Sequence, residues 1–384
     1  MQKVKIIYLI ETLRPGGAEG LLFTTLKFID RNEFEPLVYC IFENGEIGEK
    51  IAKLGIDTRS LNKKMNLTSL SAIFDLARIF KKENPGIVHT HLFFANIYGR
   101  IAAKLAGVRT IISTLHNPDY SFEDNGSLFF KLRKAVDKYS GRLCNSAFIA
   151  VSNHVKDDFQ KLLGFKNILV LHNCIEASRF RESEPDLSSK TRKELHLSKD
   201  DIVLLNIGRL HPQKGHLFLI EAFALLRKYD PRFKLVIVGS GFLEGRLKQK
   251  TFELGVAENI IFLSNRSDIP QLLNSSDIFV FPSLYEGFGI ALVEAMASGL
   301  AVVASDIEAL REIISHGENG ILSEPCNPRL LAGTIYSLIQ DEQLRKTLGE
   351  NARRKTLRLF DAGVYIRNLQ DFYRKLMHHE SQYA

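Results

Sequence analysis

Runs that are apolar at nearly every position alternate with amphipathic stretches along almost the whole chain, and the alternation restarts near its middle. The first series comprises Val4–Ile10, Pro36–Phe42, Ile87–His89, Thr110–Thr114, Ala147–Val151 and Ile168–Leu171. The second comprises Ile202–Ile207, Lys234–Val238, Ile260–Leu263, Ile278–Phe281 and Ala301–Ala304. A strand with one wet face alternates apolar and polar residues; a continuously apolar strand is buried on both faces, as in a helix-covered parallel sheet. The segments between have helical spacing, for example Leu67–Lys82 with Leu70, Ile73, Leu76, Ala77 and Phe80 in phase. Pro328–Gln340, Glu342–Phe360 and Gly363–His378 also read as helices. Ser183–Asp201 is polar, carries Pro185 and lacks an apolar period, so it reads as a connector. This pattern predicts an α/β chain of two doubly wound parallel-sheet domains, residues 1–180 and 181–362, facing a cleft. In such sheets ligands sit beyond the carboxyl ends of the strands.

Composition removes several classes. The 384-residue chain carries a formal charge of +7, with 24 basic and 17 acidic residues in 1–175 against 27 and 27 in 176–384. The surplus is confined to the first half, which argues against a nucleic-acid partner and leaves room for one domain that meets an anionic surface. The long uncharged stretch Pro85–Gly99 contains His89 and His91 and is too short and polar to span a bilayer. Met1–Ile10 lacks the cleavage pattern of a secretory signal. Cys40, Cys144, Cys174 and Cys326 are scattered without a Cys-x-x-Cys pair, so neither zinc nor a disulfide framework is indicated. A reducing cytoplasm is the expected location.

The most informative segment is Pro282–Gly299, which follows an apolar strand. Glu286 and Gly287 should lie in the loop at that strand's carboxyl end, and Gly287 and Gly289 remove side chains where backbone must approach a ligand. A helix then starts at Ile290, and its free N–H groups suit a phosphate. Glu294 falls over a turn into that helix, at about 1.5 Å per residue. Singly, Glu294 reads as a surface ion-pair member and Glu286 as a helix cap; together, with glycines between, they read as a grip on two parts of one elongated ligand.

A second cluster, Gly208–Gly215, lies between the strand Ile202–Ile207 and a helix starting near His216. Arg209 offers a bidentate fork and Lys214 a point charge, a pair suited to a diphosphate. The P-loop spacing is absent. Gly16–Gly17–Ala18–Glu19 after the first strand is half of a dinucleotide fingerprint; it reads equally as a plain helix start or as a close approach to phosphate or sugar. Gly239–Ser240–Gly241 is a weaker case of the same kind. His116 ends the Thr110–Thr114 strand and should face the cleft, although by itself it reads as a structural histidine. His89 and His91 have no carboxylate or cysteine at ligand spacing, and no Asp-x-Asp anchor for a metal diphosphate occurs, so no metal site is expected. No serine-hydrolase elbow occurs either.

These motifs resemble those of the retaining glycosyltransferases of the GT-B fold, specifically family 4, also called group 1. The carrying elements are Glu-x7-Glu at Glu286 and Glu294, and Gly-Arg-Leu…Lys-Gly at Gly208–Gly215, with support from residues 15–19, 151–153 and 172–176. The resemblance implies two Rossmann-like domains, an amino-terminal one for the acceptor and a carboxyl-terminal one for a nucleotide-sugar, with the last helix, 363–384, returning to the first domain. It implies that Arg209 and Lys214 hold the diphosphate, Glu294 the ribose and Glu286 the transferred sugar. The backbone of Phe288, Gly289 and Ile290 would meet sugar or phosphate. Asn265 and Arg266 would lie near the base, Gly16 and Gly17 near the phosphate, and His116 beside the reacting sugar. The family's Asn-Gly-Val-Asp hinge reads Asn173-Cys174-Ile175-Glu176 here.

Fixed cations and helix N–H groups stabilise a departing diphosphate without metal, and no carboxylate is set up as the nucleophile of a retaining glycosidase. With these residues the resemblance implies metal-independent transfer of a hexose from a nucleotide-sugar, UDP-linked by family frequency with GDP-mannose as the alternative, and same-face attack by an acceptor hydroxyl. The acceptor is expected to be a glycan or lipid-linked glycan of cell-surface polysaccharide or lipopolysaccharide synthesis. A phosphorylase, a nucleotide-sugar epimerase and a non-catalytic nucleotide-sugar-binding protein are the alternatives. The basic first half suggests peripheral contact with an anionic membrane through Lys63, Lys64, Lys81, Lys82, Lys131, Arg133 and Lys134, with Phe129 and Phe130 nearby; dispersed solvated charge explains it equally.

Overall fold

The computed structural model describes residues 3–64, 71–122, 127–180, 185–264 and 266–381. The chain divides into two compact units, Met1–Cys174 with Ala362–Ala384, and Ile175–Asp361. Unit one is built on a seven-stranded sheet and unit two on a six-stranded one. Every strand pairing in both is parallel.

Unit one contains β1 (Val4–Ile10), β2 (Phe34–Cys40), β3 (Thr58–Ser60), β4 (Ile87–His91), β5 (Thr110–Leu115), β6 (Ala147–Ala150) and β7 (Ile168–Val170). Their order in space is β3-β2-β1-β4-β5-β6-β7. The chain therefore moves outward from β1 in one direction, then restarts at β4 on its other side. The first crossovers of the two directions diverge there, leaving a crevice at the carboxyl ends of β1 and β4. Residues Ile6–Ile10 are fully buried, as a continuous apolar run between two helical layers requires.

Unit two repeats the scheme with β8 (Ile202–Ile207), β9 (Phe233–Val238), β10 (Ile260–Leu263), β11 (Ile278–Phe281), β12 (Ala301–Ser305) and β13 (Ile321–Ser323). The order β10-β9-β8-β11-β12-β13 puts the switch between β8 and β11. Both sequence clusters, Gly208–Gly215 and Pro282–Gly289, are the loops that leave these two adjacent strands.

The strand positions follow the apolar runs within a few residues. The three-residue strands β3 and β13 at the sheet edges were not anticipated. One expectation is corrected: the supposed connector contains a helix, Pro185–Glu194. Proline is its first residue, where the missing N–H removes no helical bond. Arg192 anchors it, donating to the Ser275 carbonyl (2.9 Å) and to Asp277 (3.1 Å). It was unreadable because it is held by these polar ties rather than by an apolar stripe. The helix expected over Leu67–Lys82 is described from Ser71 to Glu83, its beginning lying outside the described residues.

The last helix, Ala362–Ser381, packs on unit one. Tyr365, Ile366, Leu369 and Tyr373 enter its core beside Tyr8, Leu22 and Leu26. Tyr373 OH lies 3.2 Å from Tyr8 OH and 2.6 Å from His89 Nδ1, and Arg374 pairs with Glu33 at 2.6 Å. Among the described residues no helix is long and apolar enough to cross a membrane.

Candidate active site

In unit two the loops after β8 and β11 meet backbone to backbone. Gly215 has φ +66°, and a Cβ there would lie 2.0 Å from the Pro282 carbonyl oxygen, so only glycine fits. Leu284 N donates to the Gln213 carbonyl at 2.7 Å. The buried Gln213 side chain joins both loops, donating from Nε2 to the Tyr285 carbonyl (3.0 Å) and accepting from Arg209 Nη2 (3.4 Å). Lys214 Nζ then reaches Glu286 Oε1 at 2.5 Å. Glu286 is 5% exposed, so this ion pair is held away from solvent. Gln213 was not singled out from the sequence; its place between Arg209 and Lys214 was the available signal.

A third loop supports these two from below. Gly239 has φ +147°, and a Cβ there would meet the Gly208 carbonyl oxygen at 2.0 Å. Leu210 N donates to the Ser240 carbonyl at 2.9 Å. The Gly239–Gly241 run thus props up the loop that carries Arg209.

Gly289, with φ +112°, is the N-cap of the helix Ile290–Ala297 and has no side chain with which to cap that end. The N–H groups of its first turn are thus left for a ligand or water. Phe288 points inward against Phe360, with ring centroids 5.5 Å apart. Glu294 is not the surface ion-pair member it resembled when taken singly. It is half-buried, and burial pushes its carboxyl up to about 7 against the pull of Arg179. Arg179 comes from the turn Ala177–Phe180 and was not foreseen. Arg266 is engaged by carboxylates, Asp268 at 2.7 Å and Glu194 at 2.8 Å. Asn265 lies outside the described residues.

In unit one Gly16 precedes the helix Gly17–Phe28 in extended conformation. A Cβ on Gly16 would lie 2.3 Å from Glu19 Oε2, so the bare backbone lets the buried Glu19 carboxylate fold against it. His116 follows β5, with Nε2 3.2 Å from His91 Nδ1. Burial lowers His116 to about 4, so it is a neutral imidazole at pH 7. His89 uses both ring nitrogens, on Tyr373 and on Thr114 Oγ1 (2.7 Å). It is a structural link rather than an available ligand. A cavity of about 150 Å³ brings His116 together with Glu11, Asn96, Asn117 and Arg133. Glu11 was also missed. Its Oε1 accepts from Phe94 N at 2.6 Å, and burial raises its carboxyl to about 7. A larger hollow of about 360 Å³ lies at the far edge of this sheet, and four of its charged residues pair across it, Lys63 with Asp75 at 2.6 Å and Arg59 with Glu83 at 3.6 Å.

Two doubly wound domains, one with cations and a carboxylate gathered at its switch point, have the architecture of the GT-B class. Known proteins agree: residues 15–179 match the family described as Glycosyltransferase Family 4, and 188–355 match Glycosyl transferases group 1. The chain belongs to glycosyltransferase family 4. It is 30% identical over 385 residues, 97% of each chain, to the Escherichia coli UDP-Gal:alpha-D-GlcNAc-diphosphoundecaprenol alpha-1,3-galactosyltransferase. It is 26% identical to the Staphylococcus aureus capsular polysaccharide biosynthesis glycosyltransferase CapM, over 80% of this chain and 81% of that one. Among solved structures, Anabaena Alr3699/HepE in complex with UDP-glucose superposes with a TM-score of 0.87 at 26% identity, over 97% of this chain and all of that one.

Proposed function

We propose that this chain transfers a hexose from a UDP-sugar to a hydroxyl of a lipid-linked glycan, with retention of anomeric configuration and without a metal ion. The observation that carries this reading is the Lys214–Glu286 pair, held with Arg209 at the switch point of unit two. Arg209 and Lys214 would take the diphosphate, Glu286 the transferred sugar and Glu294 the ribose. The uncapped start of the helix after Gly289 adds N–H donors where leaving-group charge develops. The UDP-glucose complex of the Anabaena protein and the diphosphoundecaprenol acceptor of the E. coli enzyme support the donor and acceptor classes. In unit one, the cavity with Glu11 and neutral His116 offers groups for an acceptor hydroxyl.

In this mechanism the acceptor hydroxyl attacks on the face from which the diphosphate leaves, and the departing phosphate oxygen takes its proton. The fixed cations balance the charge that appears on that oxygen. The test is calorimetric titration of the full chain with UDP-glucose, UDP-galactose and GDP-mannose, followed by transfer assays on a diphosphopolyprenol-linked acceptor. Preferential binding of a UDP-sugar, lost in Arg209→Ala, is expected. Unaltered binding and transfer in both Arg209→Ala and Lys214→Ala would overturn the assignment.

A further inference from the structure

The helix Leu128–Cys144 is apolar on the side where a packed helix is normally polar. Its buried residues are Phe130, Asp137, Ser140 and Gly141. Leu128, Phe129, Leu132, Val136, Tyr139 and Leu143 are instead 83, 50, 62, 40, 60 and 72% exposed. At 3.6 residues per turn these six fall within an arc of roughly 100°, forming a stripe about 22 Å long. Lys131, Lys138 and Arg142 line up along one rim of it, roughly 90–130° from its centre. Asp137, the helix's one acidic residue, is turned inward, accepting from Arg100 (2.5 Å) and from Tyr120 OH (2.7 Å).

We propose that this helix docks unit one on an anionic bilayer surface, its stripe in the headgroup–acyl boundary and its cationic rim among the headgroups. Both halves of the pattern are matched by such a surface. A second copy of the helix would bring no negative charge to the rim. The structure also redraws the membrane-contact set expected from sequence. Phe130 is buried, Lys63 pairs with Asp75, and Arg133 stacks inward over Phe93 at 3.9 Å. Leu132, Lys138, Tyr139, Arg142 and Leu143 replace them.

The inner side of the same helix contributes Arg133 and Asp137 to the His116 cavity. Docking would therefore hold that cavity about one helix diameter, ~10 Å, from the lipid surface. This gives a purpose for the docking that rests on the proposed lipid-linked acceptor; the docking itself is tested apart from it.

The experiment is co-sedimentation of the full chain with phosphatidylcholine vesicles, with and without phosphatidylglycerol, at low and high salt. Binding is expected only with phosphatidylglycerol and should weaken with salt. Leu132→Glu/Leu143→Glu and Lys131→Glu/Lys138→Glu should each lower it at least about tenfold, with unchanged melting temperature and unchanged UDP binding. Equal binding to neutral vesicles, retention of binding by both variants, or no sedimentation at all would overturn the proposal. So would a dimer in the absence of lipid that Leu132→Glu/Leu143→Glu disperses, since a second copy would then occupy the stripe. A chain that binds UDP but no vesicle loses this inference and keeps the proposed reaction; a chain that binds vesicles but no nucleotide does the reverse.

Discussion

Lys214 and Glu286 are 72 residues apart in the chain, yet their charged atoms are 2.5 Å from each other. The contact follows from strand order. β8 and β11 are neighbours at the switch point, so the loops leaving them must meet, and Gln213 ties them together. A diphosphate bound at Lys214 would share the ammonium with Glu286.

Lys214→Ala should strand the buried Glu286 carboxylate. Breaking a buried pair from one side costs about 3–5 kcal/mol, and losing a fixed cation at a leaving group should slow transfer about a hundredfold or more. Glu286→Gln keeps an acceptor for the ammonium and should destabilise less. Urea unfolding and initial rates measure both; a Lys214→Ala protein that unfolds like the wild type would show the pair to be incidental.

Gly215→Ala combines a left-handed backbone with a collision against the Pro282 carbonyl. A cost of about 1–3 kcal/mol is expected for the strain alone, together with weaker UDP-sugar binding because the two loops are pushed apart. Gly245→Ala, where a Cβ meets nothing, is the matched control and should be neutral or slightly stabilising in its helix. Melting temperatures and calorimetric titration decide it.

Glu294 gives a pH dependence of definite sign. Its folded pKa of about 7 lies above the ordinary carboxyl value of 4.5, so the folded state binds the extra proton. Its contribution is full below about 4.5 and is lost as pH rises toward about 7. Glu294→Gln should remove this loss. The stability difference, Gln variant minus wild type, should grow between pH 4.5 and pH 7. A difference independent of pH would mean the carboxyl titrates normally.

Arg100 is fully buried and holds Asp137 of the exposed-stripe helix. Arg100→Met should cost about 3–5 kcal/mol by leaving that carboxylate unpaired, and much of the loss should disappear in Arg100→Met/Asp137→Leu. A double-mutant cycle by chemical denaturation tests the coupling.

The architecture was readable because parallel strands buried on both faces write themselves as unbroken apolar runs. That the loops carrying Arg209, Lys214 and Glu286 leave strand ends was readable because each loop follows such a run. Pro185–Glu194 was not, since polar anchors hold it. Gln213 and Glu11 escaped because their importance lies in what they touch across loops distant in sequence. The stripe from Leu128 to Leu143 has an ordinary helical period, and only the fold reveals that it faces outward.

Unit two is one unbroken segment, whereas unit one is completed by residues from Ala362 onward. Synthesis therefore delivers all of the second unit before the first has its closing helix. Until Tyr373 arrives, His89 Nδ1 and the Tyr8 hydroxyl lack the partner that Tyr373 gives them in the core. Unit one is thus closed only after unit two has been made, and a nascent chain arrested between Asp361 and Tyr373 would carry every residue of the second unit beside an open first.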